Sequence, residues 1–191
     1  MVAHIMLDLE TLSTRPNAYI LAIGAVMFDT ERGVYNRFYQ PTITAGLAAL
    51  RELVALEDFV NNSGFHISKD TLDWWIGQSE EAKTVFTDPN AVTIDKALLT
   101  FTQWILKDVH DIKDVRMWGN GAGFDNVILS TAYQLCAMMQ PWRFYNDRCY
   151  RTVKSLYPAV SFRRIGVHHN ALADAESQAD HLLAMGIDLG K

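Results

Sequence analysis

Hydrophobic and polar positions in the N-terminal part of the chain predict an antiparallel meander of three strands. Residues 4–8 form an apolar run that is typical of a buried strand. Residues 19–28 are again apolar and rich in Ile and Val, and the polar segment 29–33 then supplies a turn that contains a glycine. Residues 34–40 alternate along the chain as in an amphipathic strand, which we expect to end at Pro41.

The remainder of the chain is dominated by helical periodicity, with strands between helices. The pattern predicts helices over residues 46–62, 68–78, 79–86, 93–109, 124–135, 148–156 and 171–185. It predicts a short strand over residues 115–118 and an edge strand over residues 143–146. Strands that come early, followed by helices with a strand between them, favour an α/β fold with a mixed sheet. We expect residues 1–191 to form a single domain.

Composition narrows the classes of function. Hydrophobic residues make up 49% and charged residues 20% of the 191 residues, as in ordinary globular proteins. The formal net charge of -5 argues against a non-specific coat on nucleic acid and against an anionic membrane partner. The two cysteines, Cys136 and Cys149, form no CxxC motif, which argues against zinc. Without a signal peptide or a membrane-spanning run, we expect a cytoplasmic location.

Two carboxylates at the end of the first strand are the first candidates for chemistry. Asp8 and Glu10 are two residues apart, so on a strand they share a face. Two unpaired carboxylates on one face repel each other, and a hard divalent cation such as Mg²⁺ or Mn²⁺ would relieve that repulsion. The alternative is that Asp8 ends the strand and Glu10 opens a turn, and the pair by itself favours this alternative.

A third carboxylate follows a glycine-rich loop. Asp125 comes after the segment 119–123, in which three glycines allow a tight turn from strand to helix. A carboxylate in the first turn of a helix is favoured by the helix dipole, so a capping role is the alternative to a functional one. The loop lacks the Gly-Lys-Ser/Thr of a phosphate-binding loop and the glycine order of a dinucleotide-binding fingerprint.

The last helix begins with histidines and a fourth carboxylate. His169 and Asp174 are five residues apart at its start, so both can face one site if His169 precedes the first turn. A histidine beside an activated water is a natural general base. We expect His168 to be a solvated loop residue, and Glu176 and Asp180 to lie on a solvated helix face.

Basic and aromatic residues provide candidates for binding phosphates and bases. Six basic residues in loops and at helix starts could position phosphates: Arg15, Arg148, Arg151, Lys154, Arg163 and Arg164. Trp74 and Trp75 cannot both face the same way on a helix. One of them fits the core, and the other is a candidate for stacking on a base.

The order and spacing of these residues resemble a known family. The sequence is similar over nearly its whole length to the DEDDh subgroup of the DnaQ-like 3′→5′ exonucleases, through Asp8-x-Glu10, then Asp125, then His169-x4-Asp174. The strings 8–11, 71–75 and 168–171 resemble phage and prophage members, including exonuclease VIII-like and DexA-like proteins. No departure from the family pattern occurs at the five motif positions. The leucine-rich segment 46–62 has no counterpart that we can place.

The resemblance implies an RNase H-like fold, with a central mixed five-stranded sheet, its first three strands antiparallel, and helices on both faces. It also implies hydrolysis of phosphodiester bonds from the 3′ end of single-stranded nucleic acid, with DNA slightly favoured over RNA, and release of nucleoside 5′-monophosphates. Asp8 would bridge two Mg²⁺ or Mn²⁺ ions, Glu10 and Asp174 would complete one ion site, Asp125 would hold the second, and His169 would be the general base.

For the substrate, the resemblance and the position after the first strand suggest the backbone groups of Leu9, Thr11 and Leu12 as contacts to the terminal nucleotide. Leu12 or Trp75 could separate the last base from its neighbour, and Asn120 is a further candidate contact. Two other classes stay open at this stage, a phosphodiesterase of small nucleotides and a non-catalytic nucleic-acid-binding domain. A homodimer is compatible with the resemblance.

Overall fold

A mixed sheet at the centre of the protein places the predicted site. The computed structural model describes residues 2–42, 46–53 and 58–190. The first three strands are β1 (Ala3–Thr11), β2 (Ile20–Asp29) and β3 (Gly33–Pro41), a small separate hairpin consists of β4 (Phe59–Val60) and β5 (His66–Ile67), and the last strands are β6 (Val115–Gly119) and β7 (Asp147–Cys149). The strand order of the large sheet is β3-β2-β1-β6-β7.

The topology of the sheet agrees with the sequence-based expectation of a mixed five-stranded sheet. Strands β1, β2 and β3 are antiparallel neighbours, whereas β6 pairs in parallel with β1, and β7 pairs in parallel with β6. The first strand is longer than the apolar run 4–8 and continues to Thr11. Glu10 is therefore part of the strand, and the alternative in which it opens a turn is wrong.

Helices cover both faces of the sheet. They are α1 (Leu47–Leu53), α2 (Lys69–Ile76), α3 (Glu80–Lys83), α4 (Ile94–Asp108), α5 (Asp125–Leu135), α6 (Tyr150–Leu156) and α7 (Ala171–Ala184), with 3₁₀ turns at 84–87, 112–114 and 144–146. Among the described residues, no helix combines the length and the apolar character that crossing a membrane would require.

Alternation along β1 assigns each of its side chains to one of the two helical layers. Ile5 and Leu7 pack in a buried cluster that includes residues of α4 and α5. Met6 packs in a different cluster that includes Ala175 and Ala179 of α7. Because side chains two apart on a strand share a face, the even-numbered positions that follow Met6 also point towards α7.

Two predicted elements differ from the structure. The helix predicted over 46–62 is observed only as α1, and residues 59 and 60 form a strand instead. Gly64 with φ +84° permits the turn between β4 and β5, and the Asn61 carboxamide accepts the N–H groups of Ser63 and Phe65 there. The part of the predicted helix at 54–57 lies outside the described residues.

The edge strand predicted over residues 143–146 is also wrong. Residues 144–146 form a 3₁₀ turn, and the edge strand is β7, which starts at Asp147. The Asn146 amide donates to the Lys113 carbonyl at 2.8 Å, and the Asp147 carboxylate accepts from the Trp142 indole at 2.9 Å. These contacts hold the turn against the end of the sheet, so pairing with β6 begins only afterwards.

The start of α7 lies against the backbone of β2. A Cβ added to Gly24 would lie 2.1 Å from the carbonyl carbon of Ala171, far inside van der Waals contact. Gly24 pairs with Asp8 across the antiparallel ladder. A glycine at this position of β2 therefore lets the N-terminus of α7 approach the candidate carboxylate on β1.

We expect Gly24→Ala to destabilise the protein by about 1–3 kcal/mol or more, because the added methyl group must push α7 away from β2. The measurement is the free energy of unfolding from urea titration. The matched control is Gly123→Ala, since a Cβ there meets no atom within 4 Å. Equal stability of the two variants would contradict the close-approach argument.

Candidate active site

Asp8 and Glu10 point into a cleft at the C-terminal end of β1. The cleft has a volume of about 310 Å³, and both carboxylates line it. Glu10 is buried, and Asp8 is partly buried. The predicted alternation along β1 thus places the two acids on one face, towards α7.

The loop after β6 brings Asp125 to the same cleft. The Asp125 carboxylate accepts the backbone N–H of Leu9 at 3.3 Å and that of Gly121 at 3.4 Å. A Cβ on Gly119 would lie 3.1 Å from the Asp125 Cβ and 2.3 Å from the Asn126 side-chain oxygen, so only glycine lets α5 begin this close to β6. Asp125 therefore does more than cap its own helix, because it also bonds to the backbone of β1.

Asp174 enters the cleft from the first turn of α7. Asn170 caps this helix, since its side chain accepts the N–H of Ala173 at 3.0 Å. The buried Asp174 carboxylate accepts the backbone N–H of His169 at 3.1 Å and forms an ion pair with Arg164. All four carboxylates of the predicted motif thus reach one cleft.

Gln178 is a site residue that the sequence interpretation missed. Its side-chain amide N–H donates to the Asp8 carboxylate at 2.8 Å, and its amide oxygen is buried without a partner among the described atoms. Gln178 lies four residues after Asp174, which is one helical turn. This spacing is the sequence signal that could have identified it as a neighbour of the metal-binding candidates.

His169 lies at the rim of the cleft in a constrained backbone conformation. Its φ of +60° lies in the left-handed region, which is uncommon for residues other than glycine. Its ring meets the Trp74 ring edge-on at 4.8 Å between centroids, and the His168 ring lies 3.8 Å away. Burial, with the nearby His168, lowers the pKa of His169, so the imidazole is neutral at pH 7 and able to accept a proton. His168 is exposed in the turn before α7, as expected of a solvated loop residue, and it also lines the cleft.

The carboxylates carry the electrostatic signature of a cation site. Burial, with added repulsion from Asp174 and Asp125, raises the pKa of Glu10 to about 8. Burial also raises the pKa of Asp8 well above its usual range, with added repulsion from Asp125, Glu10 and Asp174. For Asp125, burial raises the pKa to about 6, although the N–H groups of Gly121 and Leu9 oppose the shift.

The donor set fits a hard divalent cation. A carboxylate oxygen of Glu10 and one of Asp174 lie within 4.8 Å of each other and of a His169 ring nitrogen, so the candidate base lies beside two of the acidic ligands. Asp8 and Asp125 add carboxylate oxygens from the same cleft, and Mg²⁺ and Mn²⁺ prefer such oxygens. Cations would remove the repulsion that raises the pKa values, so the residues present suit the divalent ions implied by the sequence.

The structure separates the candidate substrate contacts into three groups. Leu9 and Asn120 line the cleft that contains the four carboxylates, which we call the metal-site cleft. Leu9 and Thr11 also line a second cleft beside it. Leu12 is fully buried, its N–H donates to the Tyr19 carbonyl, and its carbonyl accepts from Ser68. The expected role of Leu12 at the terminal nucleotide therefore does not fit its position in the core.

Trp75 is likewise a core residue. Its side chain is 1% exposed, and the indole N–H donates to the Thr11 carbonyl at 3.0 Å. Both tryptophans line the second cleft, but Trp74, which is 45% exposed, is the accessible one. The separation of bases suggested for Trp75 therefore does not fit its burial, and Trp74 is the candidate for stacking. Periodicity alone does not say which of the two tryptophans faces the core.

The structure places only some of the six basic candidates at the site. Arg151, Lys154 and Arg164 line the metal-site cleft. Arg15 forms an ion pair with Asp58, and the Arg148 guanidinium donates to the Tyr145 carbonyl. The cleft thus has carboxylates on one wall and basic side chains on another.

Comparison with known proteins assigns this combination of fold and site. Residues 3–185 match the family described as the 3′-5′ exoribonuclease Rv2179c-like domain. The chain belongs to this family. It is an enzyme of the 3′-5′ exonuclease class. No curated protein was found to match the sequence.

Solved structures of exonucleases share its RNase H-like fold at low sequence identity. The nuclease domain of 3′hExo, a DEDDh family member bound to rAMP, has a TM-score of 0.59 and 14% identity, with 96% of this chain and 90% of that chain covered. Cell-death related nuclease 4 has a TM-score of 0.59 and 13% identity, with 96% and 63% covered. Exonuclease I of E. coli, in complex with a 5cy-dA13 oligonucleotide, has a TM-score of 0.62 and 12% identity, with 96% and 40% covered. The chain therefore spans less than half of exonuclease I.

Repulsion among the four carboxylates of the cleft should lower the stability of the metal-free protein. In EDTA, we expect Asp8→Asn to raise the melting temperature by about 2–4 °C for each kcal/mol of repulsion relieved. Mg²⁺ should raise the melting temperature of the wild type and have a smaller effect on Asp8→Asn, because bound ligand stabilises the folded state.

Differential scanning fluorimetry provides the measurement for both parts of this prediction. Glu31→Gln serves as the control for loss of one acidic charge, since Glu31 is exposed in the turn between β2 and β3. Wild-type protein that melts at one temperature with EDTA and with Mg²⁺ would contradict the cation site.

Proposed function

We propose that this protein is a metal-dependent 3′→5′ exonuclease that acts on single-stranded nucleic acid, with RNA as its preferred substrate. The observation that carries the proposal is the convergence of Asp8, Glu10, Asp125 and Asp174 on one cleft beside His169. A non-catalytic domain has no physical need for four repelling carboxylates, and membership of an exonuclease family excludes that alternative.

Each acidic residue has a defined task in the proposed reaction. Asp8, Glu10, Asp125 and Asp174 would hold two Mg²⁺ or Mn²⁺ ions, which supply activation of water and neutralisation of charge on the phosphate. Gln178 orients Asp8 through its amide N–H. Backbone N–H groups orient Asp125 and Asp174, so the ligand oxygens are arranged before substrate binds.

His169 is the general base in this proposal. Its neutral imidazole accepts the proton of the water that attacks the terminal phosphodiester. The bond between phosphorus and the 3′ oxygen of the preceding nucleotide breaks, and a nucleoside 5′-monophosphate is released. The Trp74 ring and the backbone bond to Asp174 hold the imidazole at the rim of the cleft, where this proton transfer takes place.

The family description supports RNA rather than the DNA slightly favoured from sequence, since it names exoribonucleases. Discrimination between the two sugars depends on contacts to the 2′-OH. The similarity to phage exonucleases and the homodimer stay predictions that the matches above do not address.

The second cleft is the proposed position of the terminal nucleoside. It has a volume of about 480 Å³ and shares Leu9, Glu10 and Phe124 with the metal-site cleft. The exposed face of Trp74 offers a stacking surface there, and the neighbouring Thr11 presents backbone to the sugar. In the adjoining cleft, Asn120 is placed to contact the phosphate side of the same nucleotide.

The first experiment is digestion of 5′-labelled single-stranded RNA and DNA oligomers with Mg²⁺, Mn²⁺ or EDTA. We expect a metal-dependent ladder that shortens from the 3′ end and advances faster on RNA. Asp8→Ala should abolish both activity and the Mg²⁺-induced shift in melting temperature. His169→Ala should keep that shift and lose about 10²–10⁴-fold in rate.

Normal turnover by His169→Ala would refute its assignment as the base. Intact polymers together with hydrolysis of a mononucleotide ester would instead make the protein a small-nucleotide phosphodiesterase. Faster shortening of DNA than of RNA would overturn the proposed sugar preference.

We expect Trp74→Ala to raise KM for the oligomer about 5- to 100-fold, because stacking of a base on an aromatic ring contributes about 1–3 kcal/mol. Steady-state kinetics provide the measurement. Phe144→Ala is the matched control, since Phe144 is 76% exposed and lies outside both clefts. A KM for Trp74→Ala equal to that of the control would remove Trp74 from the substrate site.

A further inference from the structure

A basic wall, formed by Arg151, Lys154 and Arg164, borders the metal-site cleft that the four carboxylates also line. Arg151 and Lys154 project from α6, three residues apart and thus on one face of the helix. Arg164 projects from the segment that leads to α7, and Phe162 lies between the two basic segments. The Lys154 ammonium lies 5.0 Å and the Arg164 guanidinium 5.7 Å from the centroid of the Phe162 ring.

The contacts of these cations differ. Arg164 is held by its ion pair with Asp174, as described above. Arg151 and Lys154 are exposed, and within the residues that the structure describes neither forms an ion pair with a carboxylate. The Arg151 guanidinium lies about 4 Å from the position of a Gly121 Cβ, so it extends along the loop that also positions Asp125. The Arg151 charge also interacts with the Asp125 carboxylate. Both side chains are exposed, so an anion at the mouth of the cleft can reach them.

Charge balance indicates that the wall faces an anionic ligand. Two divalent cations would balance the four carboxylates, which leaves the basic side chains without an equal negative charge. The Phe162 ring attracts both Lys154 and Arg164, but of these two only Arg164 has a carboxylate partner among the described residues. A phosphate group is the anion that arginine and lysine bind most readily.

The two clefts differ in a way that orients the substrate. Among its lining residues, the second cleft contains no Lys or Arg, and its polar groups include Ser13, Thr14, Ser68 and Asp70. A 3′-terminal nucleoside brings no phosphate beyond the scissile one, so it needs no cation in its pocket. The upstream part of the strand brings one further phosphate with each nucleotide, and Arg151, Lys154 and Arg164 line the metal-site cleft but not the second cleft.

We propose that Arg151 and Lys154 form a binding subsite for the second phosphate of the strand, the one immediately 5′ to the scissile phosphodiester. The inference rests on the proposed exonuclease function and adds a substrate requirement to it. The subsite makes a strand with at least two phosphates a better substrate than a dinucleoside with one. It thereby separates polynucleotide ends from small phosphodiesters.

Two dinucleotides that differ by one phosphate isolate the subsite. The dinucleoside monophosphate NpN carries only the scissile phosphate. Its 5′-phosphorylated form, pNpN, adds a phosphate at the proposed position. We expect the wild type to cleave pNpN with kcat/KM about tenfold higher, as one charge-assisted contact of about 1.4 kcal/mol predicts. Arg151→Gln and Lys154→Gln should each lose most of this preference, and the double variant should lose it entirely, measured as the ratio of kcat/KM for pNpN to kcat/KM for NpN.

Arg163→Gln is the matched control, because Arg163 is exposed beside Arg164 and does not line the cleft. It removes the same charge and should keep the tenfold preference. An equal loss on NpN and pNpN in the Arg151→Gln and Lys154→Gln variants would overturn the subsite, since the residues would then act on the scissile phosphate. A preference unchanged in the double variant would overturn it as well.

Binding provides a second readout that does not depend on turnover. The affinity for a fluorescein-labelled oligoribonucleotide, measured by anisotropy in EDTA, falls with salt along a log–log slope of about 0.7 for each single-strand phosphate contacted. Arg151→Gln and Lys154→Gln should make this slope shallower, and Arg163→Gln should leave it unchanged. Shallower slopes in the variants, without any hydrolysis by the wild type, would support the subsite and refute the exonuclease proposal. Hydrolysis by the wild type with unaltered slopes in the variants would support the exonuclease proposal and refute the subsite.

Discussion

Four carboxylates in one cleft are the constraint around which this protein is arranged. Bringing them together from three separate elements costs free energy, because burial and mutual repulsion both disfavour their charged forms. Hydrogen-bond partners fix three of the four carboxylates. Backbone N–H groups hold Asp125 and Asp174, and the Gln178 amide holds Asp8. These partners leave oxygen lone pairs directed into the cleft, which is the state that a hard cation requires.

Close contact between backbones makes this convergence possible. Glycine at position 24 lets α7 begin directly above β2, and glycine at position 119 lets α5 begin directly beyond β6. Both helices therefore present their first turns, which favour negative charge, to the C-terminal end of β1. The left-handed conformation of His169 then turns the chain so that its imidazole faces the same cleft as Asp174. The site residues therefore come together because the backbones of these elements lie close to one another, and not because long side chains span a gap between them.

In the proposed function, the two adjoining clefts would divide the recognition of a strand end by charge. The cleft beside Trp74 has aromatic and hydroxyl groups and no cations among its lining residues, which would suit a neutral nucleoside. The metal-site cleft is lined by both acids and bases, which would suit metal ions together with a phosphate chain. An enzyme with this division handles the end of a polymer, because only there does a nucleoside without a further phosphate adjoin a chain that carries many.

Much of the fold and of the catalytic set follows from the sequence alone. Periodicity is a local property, so it located the meander and the long helices, and the order of the five motif residues identified the exonuclease class. Side chains whose roles depend on distant partners needed the tertiary structure. Residues 59–60 form a strand because they pair with a second strand in a hairpin. Trp75 is buried in the core, which leaves Trp74 as the exposed tryptophan beside the cleft. Packing of α7 places Gln178 at the candidate site, and packing of the core keeps Leu12 away from it, so neither position could be predicted from local sequence.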